Sequence, residues 1–297
     1  MKTSKHPEPD AFVCHKADPI KTKFGETSYL IPFSDVHRHA RNCDVELWKE
    51  FLAWGSKKQR AHFVGVGDYD DIGSHSERKA WAHAKSEVHE DFRDAVDEMV
   101  DEKCKAMCDE LGVIQPRLIG LVDGNHSFRF ADGQTYTQRM CEYLKVPYLG
   151  LSTLTRIPFS MKPRLTTLKL DIFAHHGFGG GSTTGGSANN LEKMATVCSA
   201  DIYLGGHNHH KHVVPRSIMV PNSTGGQLGV VERRQLFIRT GSFLRAWNPN
   251  RSSYVVDKCM RPADLGVVKI EMTPKRKTYV VNGRRVEQHT IKLHASI

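Results

Sequence analysis

Short apolar runs that break into polar residues at their C-terminal ends recur along the chain and predict buried strands. Tyr29 to Phe33 ends at Ser34-Asp35, Phe63 to Val66 at Gly67-Asp68-Tyr69-Asp70-Asp71, and Leu118 to Val122 at Asp123-Gly124-Asn125-His126. Thr166 to Phe173 leads to His175-His176, and Ile202 to Leu204 leads to Gly206-His207-Asn208-His209. Between several of these runs the apolar period lengthens. Val45, Leu47, Trp48, Phe51, Leu52 and Trp54 follow Asp44, a candidate cap, and predict a helix stopping near Gly55. Trp81, Ala84, Val88, Phe92, Ala95, Met99, Ala106 or Met107, and Leu111 predict one long helix ended by Gly112, with a solvated charged face. Thr135 to Leu144 and Asn189 to Cys198 read as shorter helices, and Thr153 to Phe159 as a further strand. The stretch Gly177 to Ser187 is rich in glycine and predicts a mobile loop. From Lys211 onward the pattern is mainly β, with short apolar pieces at Val213-Val214, Ile218 to Val220, Leu236 to Ile238, Val267 to Ile270 and Thr290 to Leu293.

This alternation predicts a mixed α/β chain without internal repeats. Residues 1–26 carry three prolines and no period, and read as an N-terminal arm that wraps the domain or stays mobile. Residues 27–297 read as one domain, with the polar motifs between 35 and 209 and a basic, β-rich part over 211–297. The chain is long enough for a sizeable core.

Composition adds three constraints. No apolar run approaches the length of a membrane span, and residues 1–26 have no apolar core of the kind a secretory signal needs, so no membrane partner is expected. Seven cysteines, odd in number and without CxxC spacing, suit reduced thiols and a cytoplasmic setting. The net charge of +9 is unevenly placed: Lys211 to Ile297 holds 16 Lys+Arg against 5 Asp+Glu. Such a basic final third suits a polyanionic partner, nucleic acid or nucleotide, and equally a basic sheet surface with no dedicated ligand.

The chemistry lies in the strand-end motifs. Ligand sites in open α/β sheets sit at the rim where strands end, and five clusters of Asp, Asn and His are predicted to reach it. Two divalent cations about 3.5–4 Å apart can clamp a phosphoryl group and lower the pKa of a water between them. Mixed imidazole and oxygen ligands suit Mn first, with Fe, Zn or Ni as further choices. Singly, each motif has a plain reading as strand-end polar residues making turns and caps. The ordered set DxH, GDxxD, GNH, HG and GHxH, spanning Asp35 to His209, resembles the calcineurin-like metallophosphoesterase superfamily.

That resemblance implies a four-layer αββα sandwich of two mixed sheets flanked by helices, with a dinuclear metal site at the strand ends and the basic tail completing the second sheet. It implies that Asp35, His37 and His209 bind one metal, that Asn125, His176 and His207 bind the other, and that Asp68 bridges the two. His175 competes with His176 for the fourth motif, and the His-Gly spacing favours His176. His126 would act on the scissile group as general acid or electrostatic stabiliser, Asp71 would orient its neighbours, and Asp70 reads as a solvated extra carboxylate. His39 and His210 read as surface histidines. One position departs from the pattern: Ser127 stands where the family places the carboxylate that positions the histidine. The implied activity is hydrolysis of phosphate esters by metal-activated hydroxide. A phosphodiesterase or nuclease is favoured over a phosphomonoesterase by the basic final third, the expected open site and the intracellular signature; no arginine accompanies GDxxD and GNH in the manner of protein phosphatases, which lowers that reading. A non-catalytic binding module on the same fold is the reading from another class.

Overall fold

The computed structural model describes residues 10–71, 90–161, 166–179, 183–224, 227–247, 254–257, 259, 261–281 and 284–297. Two sheets face each other. The larger runs β1(Val13–Lys16)-β6(Ser152–Met161)-β7(Thr166–His175)-β8(Ile202–Gly205)-β10(Gln227–Thr240)-β9(Lys211–Thr224), with β2(Ile20–Thr22) also on β6. The smaller runs β12(Arg284–Ser296)-β11(Lys269–Val281)-β3(Ser28–Phe33)-β4(Ala61–Val66)-β5(Leu118–Val122). The β3-β4 and β4-β5 pairs are parallel, which brings the ends of these three strands to one rim.

Side-chain alternation along the strands builds the layers. Leu30, Val64, Val66 and Val122 of the smaller sheet meet Ile157, Leu170, Ile202, Leu204, Leu236 and Ile238 of the larger one in a buried core. The opposite faces of the same strands, Ile31, Phe33, Ala61, Phe63 and Leu121, pack under α1(Val45–Lys57), α2(Glu90–Leu111) and α3(Tyr136–Leu144). On the outer face of the larger sheet, Phe173, Tyr203 and Phe237 pack against Leu191 of α4(Thr184–Glu192). The result is helices, sheet, sheet, helix. Asp44 caps α1 by accepting from the Leu47 N–H at 3.2 Å. Thr135 and Gln138 form a capping box on α3.

Several expectations change. The helix α1 runs through Gly55 to Lys57, because Gly55 is packed against Phe63 and Ile114 with little room for a side chain. The first half of the long helical pattern, from Trp81, lies outside the described residues, and α2 ends at Leu111 as the Gly112 stop implies. In the N-terminal arm, β1 and β2 are parallel edge strands on β6. The glycine-rich stretch is a loop only in part: α4 starts at Thr184, because Thr183 accepts from the Gly186 N–H and Ser187 and Leu191 bury one side of the turn. The basic tail does not complete one sheet but divides between both. β10 pairs with β8 in the larger sheet, and β11 pairs with β3 in the smaller. Among the described residues, no helix is long and apolar enough to cross a membrane.

Candidate metal centre

At the rim, the chain turns sharply where each strand ends. Asp35, His37, Asp68, His207 and His209 all hold positive φ, between 47° and 72°. Left-handed backbone is unfavourable for residues with a Cβ, and short polar side chains tolerate it best. Five such residues at one rim mark a site whose surroundings enforce the geometry. Close approach dictates the glycines. A Cβ on Gly124 would fall 2.1 Å from Asp68 Oδ1, and one on Gly67, itself at φ +92°, would meet the His176 ring at 2.6 Å.

Each carboxylate accepts a backbone N–H and turns an oxygen toward the imidazoles. Asp68 Oδ1 accepts from the His126 N–H at 2.9 Å, while Oδ2 lies 3.1 Å from His176 Nε2 and 3.9 Å from both His37 Nε2 and His126 Nε2. Asp35 accepts from the His207 N–H and from the Ser34 hydroxyl. Its Oδ1 lies 3.2 Å from His209 Nε2, 3.9 Å from His176 Nε2 and 4.0 Å from His37 Nε2. His207 Nδ1 lies 3.1 Å from Asn125 Oδ1, and the His176 and His207 rings meet edge to face at 5.5 Å. All seven residues expected to hold metal therefore converge, in two neighbouring groups: Asp35, His37 and His209; and Asp68, His176, Asn125 and His207.

The donor set fits divalent cations. Asp35 and Asp68 are buried, and among the described residues no lysine or arginine forms an ion pair with either. His37 Nε2 is buried without a hydrogen-bond partner, an expensive arrangement unless something else occupies it. The ligand atoms of Asp35, His37 and His209, and those of Asp35, Asp68 and His176, lie within 4.8 Å of one another. His176 Nδ1 donates to the Val66 carbonyl at 2.7 Å, which fixes the ring and leaves Nε2 to face the site. His176 thus lies among Asp35 and Asp68, while His175 Nδ1 accepts from the Gly177 N–H.

Electrostatics follow burial. Burial opposes ionisation of Asp35 and Asp68, but the neighbouring imidazoles, His209 and His176 for Asp35 and His176 first for Asp68, hold both carboxyls well below the usual range. Burial pushes the His37 pKa down to about 4. His176 resists the same burial, because Asp68 and Asp35 raise it to about 9. A neutral His37 and two ionised carboxylates are the states that metal binding requires.

His126 flanks this cluster, its ring edge to face with His37 at 4.9 Å. Ser127 does not orient it: its hydroxyl is buried with no partner. Asp71 stands nearer to that role, with Oδ1 3.5 Å from His126 Nδ1 and Oδ2 3.7 Å from His37 Nδ1. Asp123 is turned away and accepts from the Thr137 and Tyr148 hydroxyls.

Asp70 is not solvated, contrary to its reading from sequence. It is 4 % exposed and accepts from the His39 and Asp71 N–H groups and the Tyr136 hydroxyl, with His39 Nδ1 at 2.6 Å. His39 is therefore held by its hydrogen bond to Asp70, and His210 is buried with Nε2 accepting from Arg261. Arg239 went unnoticed among the basic residues of the tail. It is buried beneath the rim and donates to the Gly206 carbonyl at 2.5 Å and the Ser187 carbonyl at 3.4 Å, tying the His207 turn to α4. Its place in the alternating strand Leu236–Thr240 is the one signal that could have found it.

No family model and no curated protein matches the chain. Solved structures similar to it include a conserved uncharacterized protein from Streptococcus pneumoniae described as a predicted phosphoesterase, 13% identical, covering 89% of this chain and 99% of that one with a TM-score of 0.32. Vps29 from Entamoeba histolytica, complexed with zinc, is 12% identical over 89% of this chain and 98% of its own, with a TM-score of 0.33. The calcineurin-like phosphoesterase YfkN from Bacillus subtilis is 8% identical over 90% of each chain, also with a TM-score of 0.33.

Proposed function

We propose that the chain is a two-metal phosphoesterase, with phosphodiesters as the favoured substrates. The observation that carries this reading is the pair of buried carboxylates, Asp35 and Asp68, turned toward a cluster of imidazoles in which buried His37 Nε2 has no hydrogen-bond partner. Asp35, His37 and His209 would hold one cation, Asn125, His176 and His207 the second, and Asp68 would bridge them. Bound there, two divalent cations supply the Lewis acidity that polarises a phosphoryl group and lowers the pKa of the attacking water.

The chain's own residues supply the rest. The His126 N–H bond fixes one oxygen of Asp68 and leaves Oδ2 turned toward His37, His126 and His176, where it would serve as a ligand. The Val66 carbonyl does the same for the His176 ring. His126 stands at the half-exposed edge of the cluster, its Nε2 3.9 Å from Asp68 Oδ2. From there it would donate a proton to the departing alkoxide, with Asp71 beside its other nitrogen keeping the ring aimed. The basic final third supports a diester, nucleotide or nucleic-acid substrate, because several phosphates would gain from it where a lone monoester would not.

The test is Mn-dependent hydrolysis of bis-p-nitrophenyl phosphate beside p-nitrophenyl phosphate, with Asp68→Asn as control. Diester preference lost in the variant is expected. Monoester preference would redirect the reading to a phosphomonoesterase. Absence of turnover on both with Mn, Zn, Fe or Ni would favour a binding module.

A further inference from the structure

The two C-terminal hairpins run past the sheets that carry them. In β10, Leu236 pairs with the first residue of β8, Ile202, so Gln227 to Gln235 and their partners in β9 extend beyond it. In β11, Met272 pairs with the first residue of β3, Ser28, so Thr273 to Val281 and their partners in β12 extend beyond that sheet in turn. Both overhangs leave the same end of the sandwich. It is the end opposite the metal-ligand rim, since the ligands follow the last residues of β3, β4, β5, β7 and β8.

A cleft of about 770 Å³ lies between the overhangs, with Leu168, Val220, Val231 and Ile291 among its apolar lining. Six cations line it: Lys169, Arg233, Arg234, Lys275, Lys277 and Lys292. Two acids accompany them, of which Asp201 is taken up by Arg233 at 2.7 Å and Glu232 accepts from Ser217. Strand register sorts the hairpin's two faces. Met272, Pro274, Ile291 and Leu293 share one face, and Met272 and Leu293 are in the core. Past Glu271, which Lys269 takes up at 3.5 Å, the other face carries Thr273 opposite Lys292, Lys275 opposite Thr290 and Lys277 opposite Gln288. Alternate residues on a strand stand about 6.8 Å apart, close to the separation of adjacent phosphates along a nucleic-acid strand. Lys275, Lys277 and Lys292 are all exposed.

We propose that this cleft, with the Lys275–Lys277–Lys292 face of the β11–β12 hairpin, is a nucleic-acid-binding exosite that grips a polynucleotide by its phosphates at the pole opposite the metal-ligand cluster. That the polynucleotide is also the substrate rests on the phosphodiesterase reading; the binding does not. Cations and uncharged donors on one face, whose acid Glu271 is already paired with Lys269, match a chain that is anionic at every unit. An extended acidic polypeptide repeats its side chains at the same spacing, so competition by polyglutamate is the arm of the test that separates it from a polynucleotide. From Leu168 in the cleft to His176 at the rim is eight residues of β7, or roughly 25 Å, so only a polynucleotide of several units reaches both.

The test measures binding of a fluorescein-labelled 20-nucleotide DNA and its RNA counterpart to the full chain in EDTA, by anisotropy across a salt series, beside bis-p-nitrophenyl phosphate turnover with Mn. Wild type should bind with a steep salt dependence. The K275Q/K277Q/K292Q variant, altered only at exposed positions, should lose about 2–3 units of the slope of log K against log salt and keep its small-diester turnover. An unchanged slope in the variant, no binding by wild type, or equal displacement by polyglutamate at matched charge would each overturn the proposal, the last in favour of an acidic protein partner. Salt-dependent, lysine-dependent binding without turnover of any ester would overturn the phosphodiesterase reading and uphold the exosite.

Discussion

Replacing Asp70 by alanine should cost far more than loss of a surface carboxylate. The side chain accepts from two backbone N–H groups, His39 and Asp71, and from the Tyr136 hydroxyl, and pairs with the His39 ring. Tyr136 is 3 % exposed, so its hydroxyl would be left without a partner at a cost of about 1–3 kcal/mol. The His39 ring is a quarter exposed and regains water, so its lost pairing adds only about 1 kcal/mol. With the two N–H groups partly rehydrated, the total is about 3 kcal/mol, which for a chain of this size lowers Tm by about 5 °C. Asp70→Asn keeps one acceptor oxygen and should fall between. The pH dependence has a definite sign. Burial opposes ionisation of Asp70, but His39 and Tyr136 hold its carboxyl below the ordinary value of 3.8. Its contribution is therefore full above that value and lost as pH falls through the folded pKa, so the acid limb of a Tm–pH curve should flatten in the alanine variant. Differential scanning fluorimetry across pH checks both. A drop in Tm of less than about 2 °C for Asp70→Ala would refute the network, leaving Asp70 the solvated carboxylate that its sequence context implies.

Gly124→Ala places a methyl 2.1 Å from Asp68 Oδ1 and must displace the proposed bridging carboxylate, so diester turnover should fall about 100-fold; steady-state kinetics on bis-p-nitrophenyl phosphate reads it. His126→Ala should slow hydrolysis of diesters with poorly acidic leaving groups more than those of p-nitrophenol, because only the former need a proton donor; comparing phenyl with p-nitrophenyl esters checks this. Burial, with Arg117 and Arg60 nearby, pushes His62 down to about 4. The unfolded chain thus binds the extra proton first, and stability should fall as pH drops from about 6.5 toward 4. His62→Gln should reduce that dependence in urea titrations.

The strand-end motifs were legible because each follows an apolar run, and the alternation of those runs placed them at one rim. The layered fold was legible for the same reason. Asp70 was not, because its decisive partner, the Tyr136 hydroxyl, comes from α3, 66 residues along the chain. Arg239 was hidden by composition: one arginine in a basic tail gives no sign that the Gly206 carbonyl awaits it. The long hairpins were read only as fragments such as Val213-Val214 and Thr290 to Leu293. Beyond the sheets their strands pack little apolar surface, as the exposed Leu228 and Val230 illustrate, so the period-2 signal fades while backbone pairing continues. The helix starting at Thr184 contradicts its local glycines because burial of Leu191 outweighs their weak propensity.

The central claim is that Asp35, His37, Asp68, Asn125, His176, His207 and His209 form one two-metal site bridged by Asp68. Mn titration of the EDTA-treated protein, read by calorimetry and by electron paramagnetic resonance, tests it most directly. The expected result is two Mn per chain with an exchange-coupled spectrum, reduced to uncoupled or single-ion binding in Asp68→Asn. One Mn or none per wild-type chain, or two that never couple, would contradict it.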